Sequence, residues 1–140
     1  MRLQIITPEK VVYDDEIDEL IVPTVSGEIA ILPHHIQLLT QVVPGEMTIK
    51  HKGREQHIAV TGGFLEVLGD DSLSLLADYA VRSEEIDAKQ ALEARERAEK
   101  KLKDAGENIS DEDNAAIQGE LLRAITQLKV IRKHHNTPRM

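Results

Sequence analysis

Two hydrophobic periods divide the chain. Up to about residue 84, apolar residues come in short clusters of Ile, Val and Leu, broken by six of the eight glycines and four of the five prolines. This rhythm predicts strands at Leu3–Ile6, Val11–Tyr13, Ile17–Val22, Glu28–Leu32, Met47–His51, Gln56–Val60, Phe64–Leu68 and Leu73–Leu76. "HKGRE" reads as a hairpin about Lys52 and Gly53, and "LGDDS" as a second about Gly69 to Asp71. Many short strands separated by turn signals make a flattened β-sandwich or barrel.

From Ser83 the period changes. Gly and Pro vanish for about twenty residues, and Ala88, Ala91, Ala98, Leu102 and Ala105 recur at helical spacing. Ser83 is the expected N-cap, Glu84 and Glu85 suit the positive end of the helix dipole, and Gly106 the expected stop. Glu93/Arg97, Glu96/Lys100 and Glu99/Lys103 stand in the favourable acid-first order for ion pairs one turn apart. Ser110 with Asp113 resembles a capping box, opening a second helix with a seam of Ile117, Leu121, Ala124, Leu128 and Ile131. The short loop predicts an antiparallel hairpin. The expected fold is therefore α+β, mainly β, with a sandwich over 1–84 and a two-helix hairpin over 85–140. That hairpin should be weakly held, because a buried methyl contributes about 0.8 kcal/mol against roughly 1.5–3 for a Leu or Ile side chain. Gly119 within the second helix weakens it by up to about 1 kcal/mol more.

Composition sharpens the picture. With no Trp, one Phe and two Tyr, the core must be aliphatic. The absence of cysteine excludes disulfides, thiolate metal sites and a Cys nucleophile. No apolar run reaches the roughly 18 residues of a membrane span, and "MRLQIITPEK" lacks a signal-peptide core, so no direct membrane insertion is expected. A net charge of −8 argues against nucleic acid as a partner. The charge is uneven: residues 1–84 carry 6 Lys or Arg against 14 Asp or Glu, and residues 85–140 carry 11 against 11. Beyond Glu120 no acidic side chain remains, and Arg123, Lys129, Arg132 and Lys133 make the end of the chain basic.

Candidate chemistry is thin. His34, His35, His51 and His57 are the candidate metal ligands, but adjacent residues on a strand point to opposite faces and no acidic cluster stands at ligand spacing. Loop and strand-surface histidines are the simpler reading. There is no G-x-S-x-G elbow or H-E-x-x-H helix, and "VTGGFLEV" lacks the Lys and spacing of a phosphate-binding loop. Gly62 and Gly63 read instead as a bend or close backbone approach entering a strand. "DDEIDEL" lacks the calcium-loop positions and fits a solvated strand face.

"SGEIAILPHHIQLLTQVVPGEMTI", "VTGGFLEV" and "LADYAVRSEEID", followed by two charged helices, together resemble the epsilon-subunit family of bacterial-type F1Fo ATP synthases. The resemblance covers essentially the whole chain. It implies a non-catalytic rotor subunit of the central stalk, coupling rotation of the catalytic head to ion translocation. The sandwich would bind the gamma subunit and rest on the membrane c-ring; the helices would meet the alpha/beta head and inhibit ATP hydrolysis. Ser26, Gly27 and Glu28 match the family loop facing the ring, and His35, Leu38, Leu39 and Thr40 match the adjoining loop near ring and gamma. The family's usual run there is G-H-A-P, which this chain matches at His35 alone. Arg123, Lys129, Arg132 and Lys133 would meet the alpha/beta head. The implied place is peripheral, in the F1 sector on the cytoplasmic face of the bacterial inner membrane, or at a thylakoid or other energy-transducing membrane.

Some family members bind ATP between the two helices through I/L-D-x-x-R-A and arginines of the second helix. The matching run here is "IDAKQA": Asp87 is retained, while Gln90 stands in the arginine position. On the second helix Arg123 remains and Gln127 replaces the other base. A neutral amide supplies neither the charge nor the bidentate fork of guanidinium at phosphate. The expectation is no required cofactor and weak or absent regulatory ATP binding. The alternative from a different class is a free-standing β-sandwich adaptor whose helical hairpin binds a partner.

Overall fold

Alternation along short strands builds the first unit: Leu20, Val22 and Thr24 turn inward from one strand and Leu73, Leu75 and Ala77 from another, while their neighbours stay partly or fully exposed. The computed structural model describes residues 1–106 and 108–135, with side chains through 131. The chain divides into two compact units, Met1–Glu85 and Ile86–Met140.

In the first unit the strands are β1 (Arg2–Ile6), β2 (Val11–Glu16), β3 (Glu19–Thr24), β4 (Gly27–Ile31), β5 (Leu38–Val42), β6 (Gly45–His51), β7 (Arg54–Val60), β8 (Gly63–Val67), β9 (Ser72–Ala77) and β10 (Ala80–Arg82). They pair in the order β10-β7-β6-β3-β5-β8-β9-β1-β2, with β4 against β3. Every pairing is antiparallel except β1 with β9. β3 meets β5 only at Thr24↔Val42, a one-residue seam in the path. The two ends of the path are joined by a side chain: Arg82 Nη2 on β10 donates to Val12 O on β2 at 3.2 Å, and its guanidinium lies 5.6 Å from the centre of the Tyr13 ring. Edge strands left open are templates for pairing with other chains, and Arg82 helps to close this one. Leu3, Ile5, Leu20, Ile31, Ile58 and Leu65 are fully buried within an aliphatic core. Tyr13 joins that core, and burial pushes its phenol above its ordinary pKa.

Both predicted hairpin turns form. Lys52 and Gly53 take φ +52° and +77° between the paired His51 and Arg54, the left-handed pair that a two-residue turn requires. Leu68 N–H donates to Ser72 O across the second turn, with Asp71 at φ +63°.

Several expectations are corrected. β5 and β10 were not expected as strands: "LLTQV" does not alternate, and β10 has three residues, so both exist through pairing with distant partners. Ile17 and Asp18 form a corner before β3 rather than the start of a strand, Ile17 being drawn into the core. Ser83 begins a separate 3-10 turn, Ser83–Glu85, and Asp87 is the true cap of α1 (Ala88–Ala105), its carboxylate accepting from Lys89 N and Gln90 N. A carboxylate reaches two amide N–H groups at once, which the Ser83 hydroxyl, four residues too early, cannot do.

α1 stops at Gly106, φ +55°, and α2 (Asp111–His135) begins where Ser110 Oγ accepts the Asp113 N–H at 3.1 Å. The two helices pack as a hairpin. Ala91 and Ala98 are buried on α1, Ala124 on α2. Thr126 and Val130 are buried too, although they lie off the expected seam. Among the described residues the three expected ion pairs on α1 are not within contact distance; Arg95–Glu99 and Lys101–Glu120 pair instead, each at 3.7 Å. Exposed pairs gain little against the entropy of two long side chains, so such pairings are weakly specified.

Candidate interaction surfaces

The β4–β5 connection takes its shape from four residues. Pro33 and His34 form a tight turn closed by His35 N–H donating to Leu32 O at 3.2 Å, with His34 at φ +65°. That combination, proline followed by a left-handed residue, is a type II turn. Histidine accepts the left-handed region more readily than most residues, so the turn survives without the glycine of the family run. His34 N–H donates to Asp71 Oδ1 at 2.8 Å, tying this loop to the β8–β9 turn. That N–H, with a smaller contribution from the Met1 ammonium, holds the Asp71 carboxyl below its ordinary pKa. Gln37 reaches over the same turn, its side-chain amide lying against Gly69, where a larger residue would push this flexible side chain aside. His35 stays outside, its Nδ1 2.8 Å from Ile36 O. The adjacent histidines thus do different work, His34 through its backbone and His35 at the surface.

The β3–β4 tip carries Ser26, Gly27 and Glu28, all exposed. Thr24 Oγ1 donates to Gly27 O at 2.6 Å and accepts from Ser26 N, while Val25 N donates to Gln41 O at 3.2 Å. The tip and the His35 loop lie at opposite ends of β4. β5 runs back between them: Leu38 packs on the core, Leu39 is 70% exposed, and Thr40 is half-buried.

Strand register exposes a feature that the linear pattern hid. Phe64 pairs with Leu76, Leu76 with Ile6, and Ile6 with Val11, so four apolar side chains stand in one row across β8, β9, β1 and β2. Phe64, Leu76 and Val11 are 56%, 57% and 53% exposed. On β5 the row meets Gln41, which pairs with Phe64, and the exposed Leu39 lies on the same face two residues away, opposite Glu66. The signal available in the sequence was an apolar residue at an outward position of each strand, visible only once the register is known.

On the helical unit, Asp87 caps α1, whereas Arg123 lies in the middle of α2. With Lys101 and Glu120 in contact, counting along both helices puts Asp87 and Arg123 about 16 Å apart along the hairpin. Lys129 is exposed; Arg132 and Lys133 lie outside the residues whose side chains are described. Among the described residues no group of three His, Asp or Glu side chains is arranged to hold a metal. His51 and His57 do not face each other: His51 pairs with Arg54 and His57 with Thr48, and His57 Nδ1 lies 2.8 Å from Glu46 Oε1.

Residues 1–83 match the family model "ATP synthase, Delta/Epsilon chain, beta-sandwich domain", and residues 84–132 the "long alpha-helix domain" model of the same chains. The ATP synthase epsilon chain of Dehalococcoides mccartyi is 39% identical over 140 residues, covering 100% of this chain and 98% of that protein. That of Moorella thermoacetica is 42% identical, covering 92% and 94%. The fold is similar to chains in the Euglena gracilis mitochondrial ATP synthase OSCP/F1/c-ring structure (TM-score 0.69, 24% identity, 94% of this chain and 80% of that one) and in the Tetrahymena thermophila mitochondrial central stalk/c-ring structure (TM-score 0.58, 19%, 94% and 96%). Matched by family models along 1–132 and by full-length relatives, the chain belongs to the ATP synthase epsilon-chain family.

Proposed function

We propose that the sandwich attaches this chain to the rotor through the apolar row Phe64–Leu76–Ile6–Val11, with Leu39 beside it on the same face and the gamma subunit as its partner. As an epsilon chain the protein is a non-catalytic subunit of the ATP synthase central stalk, coupling rotation of the catalytic head to ion translocation. The single observation that supports this use of the surface is the exposure of the row. Burying such side chains is favourable by roughly 25 cal/mol per Å², and a contiguous apolar stripe on a strand face is a docking surface. Ser26, Gly27 and Glu28 form the ring-facing contact at one end of β4, and His35 with Leu38, Leu39 and Thr40 a gamma contact that begins at the other. The chain sits peripherally in the F1 sector, on the cytoplasmic face of an energy-transducing membrane; no described helix is long and apolar enough to cross it.

The helical hairpin acts on the alpha/beta head, with Arg123, Lys129, Arg132 and Lys133 meeting acidic surface there and restraining ATP hydrolysis. Reconstitution with the catalytic head tests this. A chain ending after Glu85 is expected to assemble normally and to raise ATP hydrolysis several-fold over the full-length chain. Unchanged hydrolysis would remove the inhibitory role and leave the coupling role standing.

Regulatory ATP has little to hold it. Asp87 is engaged in capping α1, Gln90 and Gln127 replace the bases, and Arg123 is distant from Asp87. Calorimetric titration of the isolated chain with ATP is expected to give no saturable binding below about 1 mM, a free energy weaker than about −4 kcal/mol. Micromolar binding would show that the glutamines suffice.

A further inference from the structure

We infer that α2 is a helix in two parts, in which the segment 111–118 opens and closes about Gly119 independently of the helix from Glu120 onward. Gly119 lies inside the helix, and a Cβ built there meets nothing within 4 Å. No packing contact therefore demands glycine, yet glycine is a poor helix former, because it leaves the backbone more freedom to lose.

Burial changes at the same place. From Asp111 to Glu120 every side chain is exposed except Ile117, which is half-buried. Among the described residues of α2, the buried ones, Ala124, Thr126 and Val130, all lie beyond Gly119. Next to the first segment runs an open groove of about 640 Å³, lined among others by Asp104, Ala105, Ile109, Asp113 and Ile117, so this end of the hairpin is not filled by side chains. Asp104, Asp113 and Glu120 line it with Lys101 as the lone cation among the described lining residues. Excess like charge opposes tight closure. The tie across the groove is Lys101–Glu120 at 3.7 Å, both more than half exposed and thus weak.

Two local features keep the segment helical when closed. Ser110 caps it, and Asp111, Glu112 and Asp113 stand at the positive end of the dipole. The result is a segment that forms by its own termini, with little tertiary packing to hold it: the composition of a low-stability unit.

Opening has a mechanical consequence. Residues 111–118 advance about 1.5 Å each as helix and about 3.3 Å or more each when extended, so the connection after α1 grows from the five residues 106–110 to thirteen, roughly 2.6 times the reach. The part of α2 beyond Gly119 then moves without carrying α1 along. This use of the opening rests on the proposed action of the hairpin on the head; the opening itself does not.

Amide hydrogen exchange on the full-length isolated chain tests it. Amides of 114–122, whose helical acceptors are the carbonyls of 110–118, are expected to exchange at least tenfold faster than those of 123–130. Gly119→Ala is expected to slow the first set about fivefold and leave the second unchanged. Gln118→Ala, a smaller change in propensity, should move both sets by less than about twofold. Even protection along α2, or an equal effect of Gly119→Ala on both sets, would overturn the two-part helix. Neither outcome touches the truncation experiment, which is read on the assembled head.

Discussion

Phe64→Asp is expected to abolish stable association with gamma while leaving the isolated chain folded. Phe64 is 56% exposed at an outward position of β8, so the core does not depend on it, and exposed substitutions of this kind usually change stability by no more than about 0.5 kcal/mol, with up to about 1 kcal/mol for an unfavourable residue on a strand. In the complex the same position would be covered. Truncating a central aromatic at an interface costs about 2 kcal/mol or more, and leaving an unpaired carboxylate in a desolvated site adds to that. The dissociation constant should rise by about 100-fold or more. Leu76→Asp, paired directly with Phe64, should behave alike, and the double variant should lose less than the sum because the two share one contact. The measurement is a gamma-binding isotherm beside a thermal melt of each free variant. Unchanged affinity with an unchanged melt would move the docking surface elsewhere on the sandwich.

The largest effect on folding is expected at Gly63. An added Cβ there would lie 2.1 Å from Leu76 O and 2.9 Å from Ala77 Cα, both backbone atoms of β9, at a φ of +151° that L side chains rarely adopt. Gly63 pairs with Ala77 on one side and Val42 on the other, so neither neighbour is free to retreat without breaking the ladder that carries the apolar row. Overpacking costs about 1–3 kcal/mol and a forced backbone conformation about 1–3 more. Gly63→Ala should therefore destabilise by about 3–5 kcal/mol, a large share of the 5–15 typical of a domain. Gly53→Ala is the control: φ is +77° but the space is open, so the cost should stay near 1–2 kcal/mol. Denaturant unfolding of both variants reads the difference; equal losses would mean that backbone conformation alone, not the approach of β9, requires Gly63.

That contrast shows how far local reading reaches. The pair Gly62–Gly63 was legible as a close backbone approach, but the strand making that approach was not, because β9 is distant in sequence and its register follows from sheet pairing. The turns at Lys52–Gly53 and Gly69–Asp71, the stop at Gly106 and the cap at Ser110 were legible for the opposite reason: each is settled by residues within a few positions of itself. Ser83 misled because serine is a common cap, while Asp87 four residues on offered the stronger acceptor to α1. β5 was hidden because its strand character comes from pairing with β8 rather than from alternation of its own.

The candidate surfaces divide in the same way. Family motifs pointed to Ser26–Glu28 and to His35 with Leu38–Thr40, but only the topology puts them at opposite ends of β4. The apolar row depends wholly on register: a shift of one residue would turn Phe64 and Leu76 into the core. By itself, the sequence determined the mainly β unit followed by two helices, the aliphatic core, the tight turns and the family, because hydrophobic period, turn chemistry and motif order are local properties of a chain. Tertiary structure alone decided the strand order, the Arg82 bridge from β10 to β2 and the exposed row, because these depend on which distant segments pair, and that is set by the packing of the whole core rather than by any one segment.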